Sequence, residues 1–538
     1  MVSGAASNRS VALVSLGCAR NDVDGEELAA HLEREGWTVV TDPADAAVAL
    51  INTCGFIEAA KKDSIDAVLE AAELKNGATT RAVVAVGCLA QRYGRELAQE
   101  LPEADAVLGF DAYPELSQRL DAVLRGEPVP SHEPRDRRTL LPVTPVDRPR
   151  RAARMSIPGH QHAHHHHHDQ AQDHGHGHEH GHEHEHEHRG LPAPEHPEDT
   201  GPRRSPYLIT RRRLDDRPWA PLKIASGCDR RCTFCAIPSF RGSFVSRPAD
   251  DIVAEAAWLA DQGVREVMLV SENSTSYGKD LGDLGALEKL LPRLATQTGL
   301  DRIRVSYLQP AEIRPALVEA MSRTDRVMPY FDLSFQHASP TVLRRMRRFG
   351  STEAFLGLLA EIRAMSPAAG IRSNVIVGFP GETEQDLAEL EAFLIGARLD
   401  AVGVFGYSDE DGTSAAELPN HIHPQDIEDR RQRISALVEE LTARRAQERL
   451  GERVEVLVEE HEVLPEQPEQ PEQPEQPSEH GRQGSPLVRV LGRASFQGPE
   501  VDGVCELISP DATAAPVGSL VSGTVVETDG VDLLVETS

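Results

Sequence analysis

The positions of the cysteines constrain most strongly what this chain can fold into. Six of the seven cysteines fall into two groups of three, and each group lies where segments predicted to be β-strands end. The first group has a CxxxCxxC spacing, and this loop triad comprises Cys228, Cys232 and Cys235. The second group ends three successive strands, and this N-terminal triad comprises Cys18, Cys54 and Cys88. Seven cysteines in 538 residues are too few for a disulfide scaffold, so their clustering indicates metal or redox chemistry.

The bulk composition narrows the class of protein. A chain of 538 residues predicts about three domains. No stretch approaches about 18 consecutive apolar residues, and residues 1–20 lack the basic and apolar regions of a signal peptide, so we expect a cytoplasmic protein without membrane contact. The net charge of −30 disfavours nucleic-acid binding on average and favours a basic or neutral partner.

Two α/β regions and a β-rich tail are predicted. Residues 1–130 alternate strand-like and helix-like segments, as in a small three-layer α/β domain. Residues 216–445 repeat the alternation with a longer period, including a helix expected at residues 339–348, and this predicts a partial, open (βα)6 barrel. Periodicity alone does not exclude eightfold closure. Within residues 446–538, the stretches 453–459 and 487–538 are rich in valine and glycine in short alternating runs, which predicts a small β-barrel.

Two low-complexity insertions interrupt these domains. Residues 131–215 form a linker in which 15 of the 23 histidines lie between His160 and His188, and such a polar tract is expected to be disordered. It could bind nickel or zinc, or it could be an inserted loop whose metal affinity is incidental. An extended Glu-Gln-Pro repeat occupies residues 466–477. A metal-storage or metal-sensing protein built around the histidine tract is an alternative, but it leaves the six clustered cysteines unexplained.

The loop triad has the spacing of an iron–sulfur ligand set. Three thiolates on one tight loop can face a common point, and three ligands on a four-iron cluster leave one iron free to chelate a small molecule. A zinc site normally takes four ligands, and neither a second CxxC nor a nearby ligand histidine follows the loop. The loop comes after the first predicted strand of the βα repeat, at the barrel mouth where such folds place their chemistry.

The cysteines of the N-terminal triad are also expected to converge. They follow strands predicted at residues 11–16, 48–52 and 82–87, and the ends of adjacent parallel strands meet where open α/β sheets bind ligands. A glycine beside each cysteine allows the backbone to approach a bulky cofactor. Three cysteines in equivalent places predict a second cluster, whereas Cys505 has no partners and is expected to be a core thiol.

On this scaffold the CxxxCxxC loop resembles the signature of the radical S-adenosylmethionine (SAM) superfamily. The resemblance implies that the open iron binds the amino and carboxylate groups of SAM. It also implies that an electron from a reductant such as flavodoxin or ferredoxin cleaves SAM to a 5′-deoxyadenosyl radical. Candidates for the SAM pocket at the strand ends are Ser271, Glu272, Asn273, Gln336, Gly378 and Glu382. These positions could equally be ordinary turns or helix caps.

The order of the domains resembles the methylthiotransferase family of radical SAM enzymes. In that family a three-cysteine α/β domain precedes the radical SAM domain, and a small β-domain called TRAM follows it. The resemblance implies two 4Fe-4S clusters, of which the one held by Cys18, Cys54 and Cys88 supplies or carries the inserted sulfur. It also implies two SAM molecules, one that makes the radical and one that donates the methyl group.

Three motifs resemble the RimO branch of this family, whose members modify the β-carbon of an aspartate in ribosomal protein S twelve. They are residues 17–21 (Gly-Cys-Ala-Arg-Asn), 52–57 (Asn-Thr-Cys-Gly-Phe-Ile) and 330–339 (Tyr-Phe-Asp-Leu-Ser-Phe-Gln-His-Ala-Ser). From residue 451 onward the chain has four arginines and no lysine against 14 glutamates and 4 aspartates. The resulting net charge of −14 suits a basic ribosomal protein better than RNA. The alternatives are a tRNA adenosine methylthiotransferase, or acids that merely solubilise the surface.

Overall fold

The computed structural model describes residues 9–55, 57–139, 211–463, 488–508 and 515–537, and all of these belong to one unit of the chain. The predictions for the histidine-rich tract and for the Glu-Gln-Pro repeat lie outside the described residues. None of the described helices is both long enough and apolar enough to cross a membrane.

The N-terminal region contains a parallel sheet of five strands in the order β2-β1-β3-β4-β5. The strands are β1 (Ser10–Ser15), β2 (Thr38–Val40), β3 (Val48–Thr53), β4 (Ala82–Val86) and β5 (Ala106–Val107). The helices are α1 (Ala19–Arg34), α2 (Glu58–Glu73), α3 (Gly87–Glu100) and α4 (Leu116–Leu124). Strands β3 and β4 are buried along their whole length, because α1 and α4 cover one face of the sheet and α2 and α3 cover the other.

The central region has six parallel strands in two runs, β6-β9-β10 and β11-β12-β13, and a bridge between Leu308 and Leu333 connects the runs. The strands are β6 (Trp219–Lys223), β7 (Ala225–Ser226), β8 (Val245–Ser246), β9 (Glu266–Val270), β10 (Arg302–Val305), β11 (Tyr330–Gln336), β12 (Gly370–Val377) and β13 (Ala401–Gly406). The helices are α5 (Ile237–Arg241), α6 (Ala249–Asp261), α7 (Ala286–Gln297), α8 (Pro315–Arg323), α9 (Pro340–Arg345), α10 (Thr352–Met365) and α11 (Glu384–Ala397). One apolar core runs between the six parallel strands and their helices, which confirms the predicted open barrel.

A long helix leads from the central region into the C-terminal β-barrel. This helix is α12 (Pro424–Gln447). The barrel strands are β14 (Arg453–Val463), β15 (Val488–Ala494), β16 (Cys505–Ile508), β17 (Leu520–Asp529) and β18 (Asp532–Thr537). They close in the order β14-β15-β16-β18-β17, so the predicted small barrel is confirmed. Cys505 is buried in the barrel core, where its thiol lies 3.1 Å from Oε1 of Gln497.

Buried charges hold the barrel against the central region. Glu266 at the start of β9 is fully buried and accepts from Nε of Arg304 at 3.1 Å and from Nη1 of Arg493 in the barrel at 2.9 Å. Arg302 donates to the carbonyl oxygens of Arg493 at 2.9 Å and Glu455 at 2.6 Å. Because a buried charge without a partner is costly, these pairs give the barrel one fixed position on the sheet.

The helix predicted over residues 339–348 is shorter in the structure, because α9 ends at Arg345. Arg347 has a φ of +55°, and its amide donates to the carbonyl of Arg344 at 3.0 Å. The amide of Arg348 donates to the carbonyl of Leu343 at 2.7 Å. These two bonds form a Schellman motif, in which a left-handed residue ends the helix. The residue at that position here is arginine rather than the usual glycine.

Candidate active site

The cysteines of the N-terminal triad lie at one edge of the sheet. Cys18 directly precedes α1 after β1, Cys54 follows β3, and Cys88 is in the first turn of α3 after β4. Strands β1, β3 and β4 are parallel neighbours. Their carboxyl ends therefore bring the three cysteines to the same edge, where open α/β sheets bind ligands.

Two glycines allow the close approach of these cysteine loops. Gly17 has a φ of +97°, and a Cβ atom there would lie 2.6 Å from Sγ of Cys54. Gly87 has a φ of +90°, and a Cβ atom there would lie 2.6 Å from the carbonyl oxygen of Thr53. A side chain at either position would combine a strained backbone with a steric overlap, so both positions require glycine.

A short hairpin and a distant loop anchor the loop triad. Strands β7 and β8 pair on either side of it, and the amide of Cys228 donates to the carbonyl of Gly242 at 3.1 Å. Between Cys232 and Cys235, the amide of Thr233 donates to the carbonyl of Met346 at 3.2 Å. The loop is therefore held between the hairpin and the segment that follows α9.

The three cysteines of the loop triad line a cavity of about 450 Å³, and all three thiols are free. Among the described residues, no group of three or more His, Cys, Asp or Glu side chains is tight enough to hold a single metal ion. A four-iron cluster does not need such a group, because each thiolate binds a different iron atom. Free thiols around an open cavity therefore fit a cluster better than a lone ion.

Two arginines join the N-terminal triad to the central region. Arg241 at the end of α5, the helix after the loop triad, places Nη2 3.1 Å from Sγ of Cys88. Arg20 places Nη2 3.7 Å from Sγ of Cys18 and Nη1 3.4 Å from Oε1 of Glu272, which follows β9. Residues of the central region thus reach the N-terminal triad directly.

The charged surroundings distinguish Cys18 from Cys88 and Cys235. Burial opposes ionisation of the Cys18 thiol, but the positive charges of Arg20 and Arg241 outweigh it, and the pKa of Cys18 is lowered. Burial raises the pKa of Cys88 to about 11 and the pKa of Cys235 to about 12. These two thiols therefore keep their protons at neutral pH until metal binding releases them.

Glu272 is the candidate SAM residue that lies between the triads. Its side chain is only 1% exposed, and neither carboxylate oxygen has a hydrogen-bond partner among the described residues. The nearest guanidinium nitrogens of Arg20 and Arg241 lie 3.4 and 3.7 Å from Oε1. Since buried carboxylates normally accept hydrogen bonds, this group fits a ligand that carries hydroxyl or ammonium donors.

Ser271 and Asn273 flank Glu272 and differ in their access to a ligand. Ser271 is fully buried, and its Oγ accepts from the amide of Asn273 at 3.1 Å. Asn273 donates from Nδ2 to Glu312 at 2.8 Å and lines a second cavity, of about 260 Å³, next to Arg230. Asn273 is therefore better placed than Ser271 to contact a bound molecule.

Gly378, Glu382 and Gln336 lie at the ends of β12 and β11. Both carboxylate oxygens of Glu382 accept from the amide of Gly378 at 3.0 Å, and Nη1 of Arg430 donates to the same carboxylate at 2.8 Å. These bonds close the turn after β12 and occupy the carboxylate. Gln336 has a φ of +71° where the pairing of β11 with β12 shifts its register. Such strained positions cluster at functional sites.

Three arginines near the cysteines are absent from the site residues predicted from the sequence: Arg20, Arg241 and Arg348. Arg20 lies within a recognisable motif beside Cys18. Arg241 and Arg348 lie in segments that only folding brings to sulfur atoms, since Nη1 of Arg348 is 3.6 Å from Sγ of Cys232. No spacing in the sequence indicates these two contacts.

Comparisons with known proteins show what this chain is similar to. Residues 10–109 match the family described as "Uncharacterized protein family UPF0004", and residues 222–394 match the radical SAM superfamily. The chain is 56% identical over 529 residues to the ribosomal protein uS12 methylthiotransferase RimO of Kineococcus radiotolerans, covering 98% of this chain and 97% of that protein. It is 54% identical over 528 residues to the protein of the same name from Streptomyces avermitilis, covering 98% and 96%. Among solved structures, the radical SAM methyltransferase TsrM from Kitasatospora setae covers 74% of this chain and 73% of its own, with 14% identity and a TM-score of 0.46.

The fold and the cysteine loop define a radical SAM enzyme that uses an iron–sulfur cluster and SAM, and its N-terminal domain is that of a methylthiotransferase. The enzyme is therefore a transferase. The chain belongs to the RimO family, which confirms the resemblance of the three sequence motifs.

Proposed function

We propose that this chain transfers a methylthio group to the β-carbon of an aspartate in ribosomal protein S twelve. The reaction uses two 4Fe-4S clusters, one on each cysteine triad, and two SAM molecules per product. Relatives at 52–56% identity carry the name ribosomal protein uS12 methylthiotransferase. We place the reaction in the cytoplasm, where ribosomal proteins are made.

One observation carries the proposal: the segment that directly follows the loop triad packs against a cysteine of the N-terminal triad. Ala236 and Phe240, which follow the loop triad, pack against Cys88 of the N-terminal triad. Arg241 extends this contact to the sulfur atom of Cys88. Moving sulfur onto a substrate carbon requires that the activating site and the sulfur site reach the same atom, because orientation supplies much of the rate. The contact of residues 236–241 with Cys88 supports such an arrangement.

The residues of this interface have separate tasks. Each triad supplies three thiolates to one cluster, and the clusters and SAM, when bound, supply the radical and sulfur chemistry. Arg20 and Arg241 balance the negative charge of the thiolates in the N-terminal triad. Glu272 accepts hydrogen bonds from the donors of a bound ligand. Phe240, which is 4% exposed, keeps water away from Cys88.

The charge of the C-terminal barrel supports a basic protein as the substrate. The described part of the barrel has three arginines. Arg493 is buried and Arg489 donates to Glu506 at 2.6 Å, so only Arg453 of these three could contact a phosphate. A groove of about 220 Å³ on the barrel is lined by four carboxylates, those of Glu506, Glu527, Asp529 and Asp532. The barrel residues that the structure describes therefore form no basic strip of the kind that tRNA binding needs.

The first experiment counts iron and acid-labile sulfide per chain after anaerobic reconstitution. The wild type should hold about eight irons, and the variant with alanine at all three loop-triad positions should hold about four and lose reductive SAM cleavage. The matched variant with alanine at the N-terminal triad should also hold about four irons but still cleave SAM. A wild type that holds only about four irons would lack the cluster proposed to supply sulfur. A wild type that holds no iron would overturn the whole proposal.

The second experiment identifies the substrate. Ribosomal protein S twelve, incubated with the reconstituted enzyme, SAM and dithionite, should gain one methylthio group on one aspartate, which tandem mass spectrometry locates. Transfer RNA under the same conditions should gain none. If the tRNA gained a methylthio group on adenosine and S twelve stayed unmodified, this proposal would be wrong. The enzyme would then be a tRNA adenosine methylthiotransferase.

A further inference from the structure

The guanidinium of Arg20 lies between a cysteine of the N-terminal triad and the candidate SAM residue Glu272, and its donors are unused. Its Nη2 atom is 3.7 Å from Sγ of Cys18, and its Nη1 atom is 3.4 Å from Oε1 of Glu272. The second contact is an ion pair without a hydrogen bond, because neither oxygen of Glu272 has a hydrogen-bond partner among the described residues. The Nε atom of Arg20 also has no partner there. Arg20 therefore donates to no oxygen atom of the residues that the structure describes.

Other cations near the cysteines already have oxygen acceptors. Arg241 pairs with Asp24 at 2.9 Å, and Arg348 donates to Oε1 of Gln309 at 2.7 Å. A guanidinium carries five N–H donors in a rigid planar fork, and leaving these donors without acceptors in a nearly buried place costs free energy. The side chain of Arg20 is 12% exposed, so a ligand that reaches it would supply the missing acceptors.

Tyr307, which follows β10, supports this guanidinium through a strained backbone. The centroid of its ring lies 5.2 Å from Cζ of Arg20. Its φ is +60°, which is a rare conformation for a bulky aromatic residue. The amide of Tyr307 donates to Oδ2 of Asp332 at 2.9 Å, and its carbonyl accepts from the amide of Ser274 at 3.1 Å. These two bonds hold the ring beneath Arg20, and such strain is typical of functional sites.

The hydroxyl group of Tyr307 is a second unused donor at this place. It forms no hydrogen bond with any residue in the described part of the chain. A phenol is protonated at neutral pH and can donate to an oxygen acceptor. Arg20 and Tyr307 therefore present charged and neutral donors side by side.

A carboxylate is the ligand that suits these donors. It offers two oxygen atoms in one plane, and the guanidinium fork matches that geometry. In the proposed reaction, the carboxylate of the aspartate is bonded directly to the β-carbon that receives the methylthio group. A residue that holds this carboxylate must therefore lie where the sulfur site and the SAM site meet. Arg20 contacts a residue of each, namely Cys18 and Glu272.

We infer that Arg20, supported by Tyr307, binds the carboxylate of the substrate aspartate and selects an acidic side chain. This inference rests on the proposed function. The guanidinium donates to the carboxylate and the hydroxyl of Tyr307 donates to the same group, so the contact is non-covalent and no electron is transferred. Asparagine in the same place would carry no charge and would turn N–H donors toward the guanidinium. The site therefore discriminates against an amide of the same shape.

The test compares two forms of ribosomal protein S twelve, one with the target aspartate and one with asparagine in its place. Calorimetry measures their affinities for the anaerobic holoenzyme with SAM and without a reductant, so that no turnover occurs. The wild type should bind the aspartate form at least about tenfold more tightly, because hydrogen bonds to charged groups are strong. In Arg20→Met the two forms should bind equally. Arg20→Lys, which keeps the charge without the fork, should retain part of the preference. Tyr307→Phe should lower the preference about threefold.

The preference for aspartate over asparagine separates recognition from stability, because damage to the fold or to a cluster weakens the binding of both forms alike. The control Arg323→Gln removes an arginine from α8 whose side chain is 70% exposed, and it should keep the preference of the wild type. Iron content is measured in each variant. If Arg20→Met loses iron, Tyr307→Phe decides the question, since it removes a single oxygen atom.

Two kinds of failure are distinguishable. A wild type that modifies S twelve but binds both forms equally would overturn this inference alone. The same holds if Arg20→Met with full iron content, or Tyr307→Phe, keeps the preference of the wild type. A wild type that leaves S twelve unmodified would overturn the proposed function.

Discussion

The Nη2 atom of Arg241 lies 3.1 Å from the Sγ atom of Cys88, so the helix after one cysteine triad touches the other triad. The same guanidinium pairs with Asp24 through Nη1 at 2.9 Å. Burial works against its charge, but Cys88, Asp24 and Glu272 outweigh this and the pKa of Arg241 is raised. A cation from the helix after the loop triad therefore lies within the N-terminal triad.

We expect Arg241→Met to lower the reduction potential of the N-terminal cluster, because a nearby cation stabilises the more negative, reduced state. Loss of its ion pair with Asp24 should also lower the free energy of unfolding by about 2 kcal/mol. Potentiometric electron paramagnetic resonance and urea unfolding measure the two effects. Arg241→Lys, which keeps the charge, should recover most of the potential. An unchanged potential in Arg241→Met would contradict the role of Arg241 as the cation beside Cys88.

Gly17→Ala should remove the N-terminal cluster and spare the other one. An added Cβ atom would lie 2.6 Å from Sγ of Cys54 and would strain a backbone whose φ is +97°. Reconstituted iron should fall from about eight to about four per chain while SAM cleavage persists. Gly77→Ala is the matched control, since a Cβ atom there has nothing within 4 Å. A Gly17→Ala variant that still holds about eight irons per chain would contradict the prediction.

Glu272→Gln should weaken SAM binding without changing the iron content. The variant removes a negative charge and one acceptor from a carboxylate whose oxygens have no hydrogen-bond partner among the described residues. Hydrogen bonds to a charged group are worth about 1.5–3 kcal/mol, so the Kd for SAM should rise about tenfold or more. Equilibrium dialysis against labelled SAM measures this, with the surface variant Glu319→Gln as control. If Glu272→Gln and Glu319→Gln bound SAM with the same affinity, Glu272 would not be a residue of the SAM pocket.

Glu266→Gln should weaken the attachment of the C-terminal barrel to the central region, and the loss of stability should depend on pH. Burial opposes ionisation of Glu266, but Arg304, Arg493 and Arg302 outweigh it, and its pKa falls from 4.5 to about 2. A carboxyl group whose pKa is lowered by folding stabilises the folded state fully when the pH is above its pKa in the unfolded chain. That stabilisation is lost as the pH falls toward its pKa in the folded protein.

At neutral pH the variant should therefore be less stable than the wild type by about 3–5 kcal/mol, the usual cost of breaking a buried pair. The gap between the two proteins should narrow between pH 4.5 and about 2. Urea unfolding of both proteins over this range is the measurement. A gap that stays constant with pH would show that the charge of Glu266 does not hold the barrel.

The secondary structure could be predicted where local patterns are strong. The strands expected at residues 48–52 and 82–87 are β3 (Val48–Thr53) and β4 (Ala82–Val86), because continuous apolar runs identify strands buried on both faces. The short edge strands β2 and β5 escaped prediction, since three or two residues carry too little pattern. The helix over residues 339–348 was predicted too long because arginine at position 347 gives no stop signal, although its backbone is left-handed.

The sequence by itself determined the two cysteine triads, their places at strand ends and the family, because spacing and contiguous motifs are local properties of the chain. Only the tertiary structure decided that Arg241 meets Cys88 and that Glu266 meets Arg493. These partners lie 153 and 227 positions apart, and no pattern within a segment relates them. Such ion pairs depend on how separately patterned domains pack, since a buried charge must find its partner on whatever surface the packing brings to it.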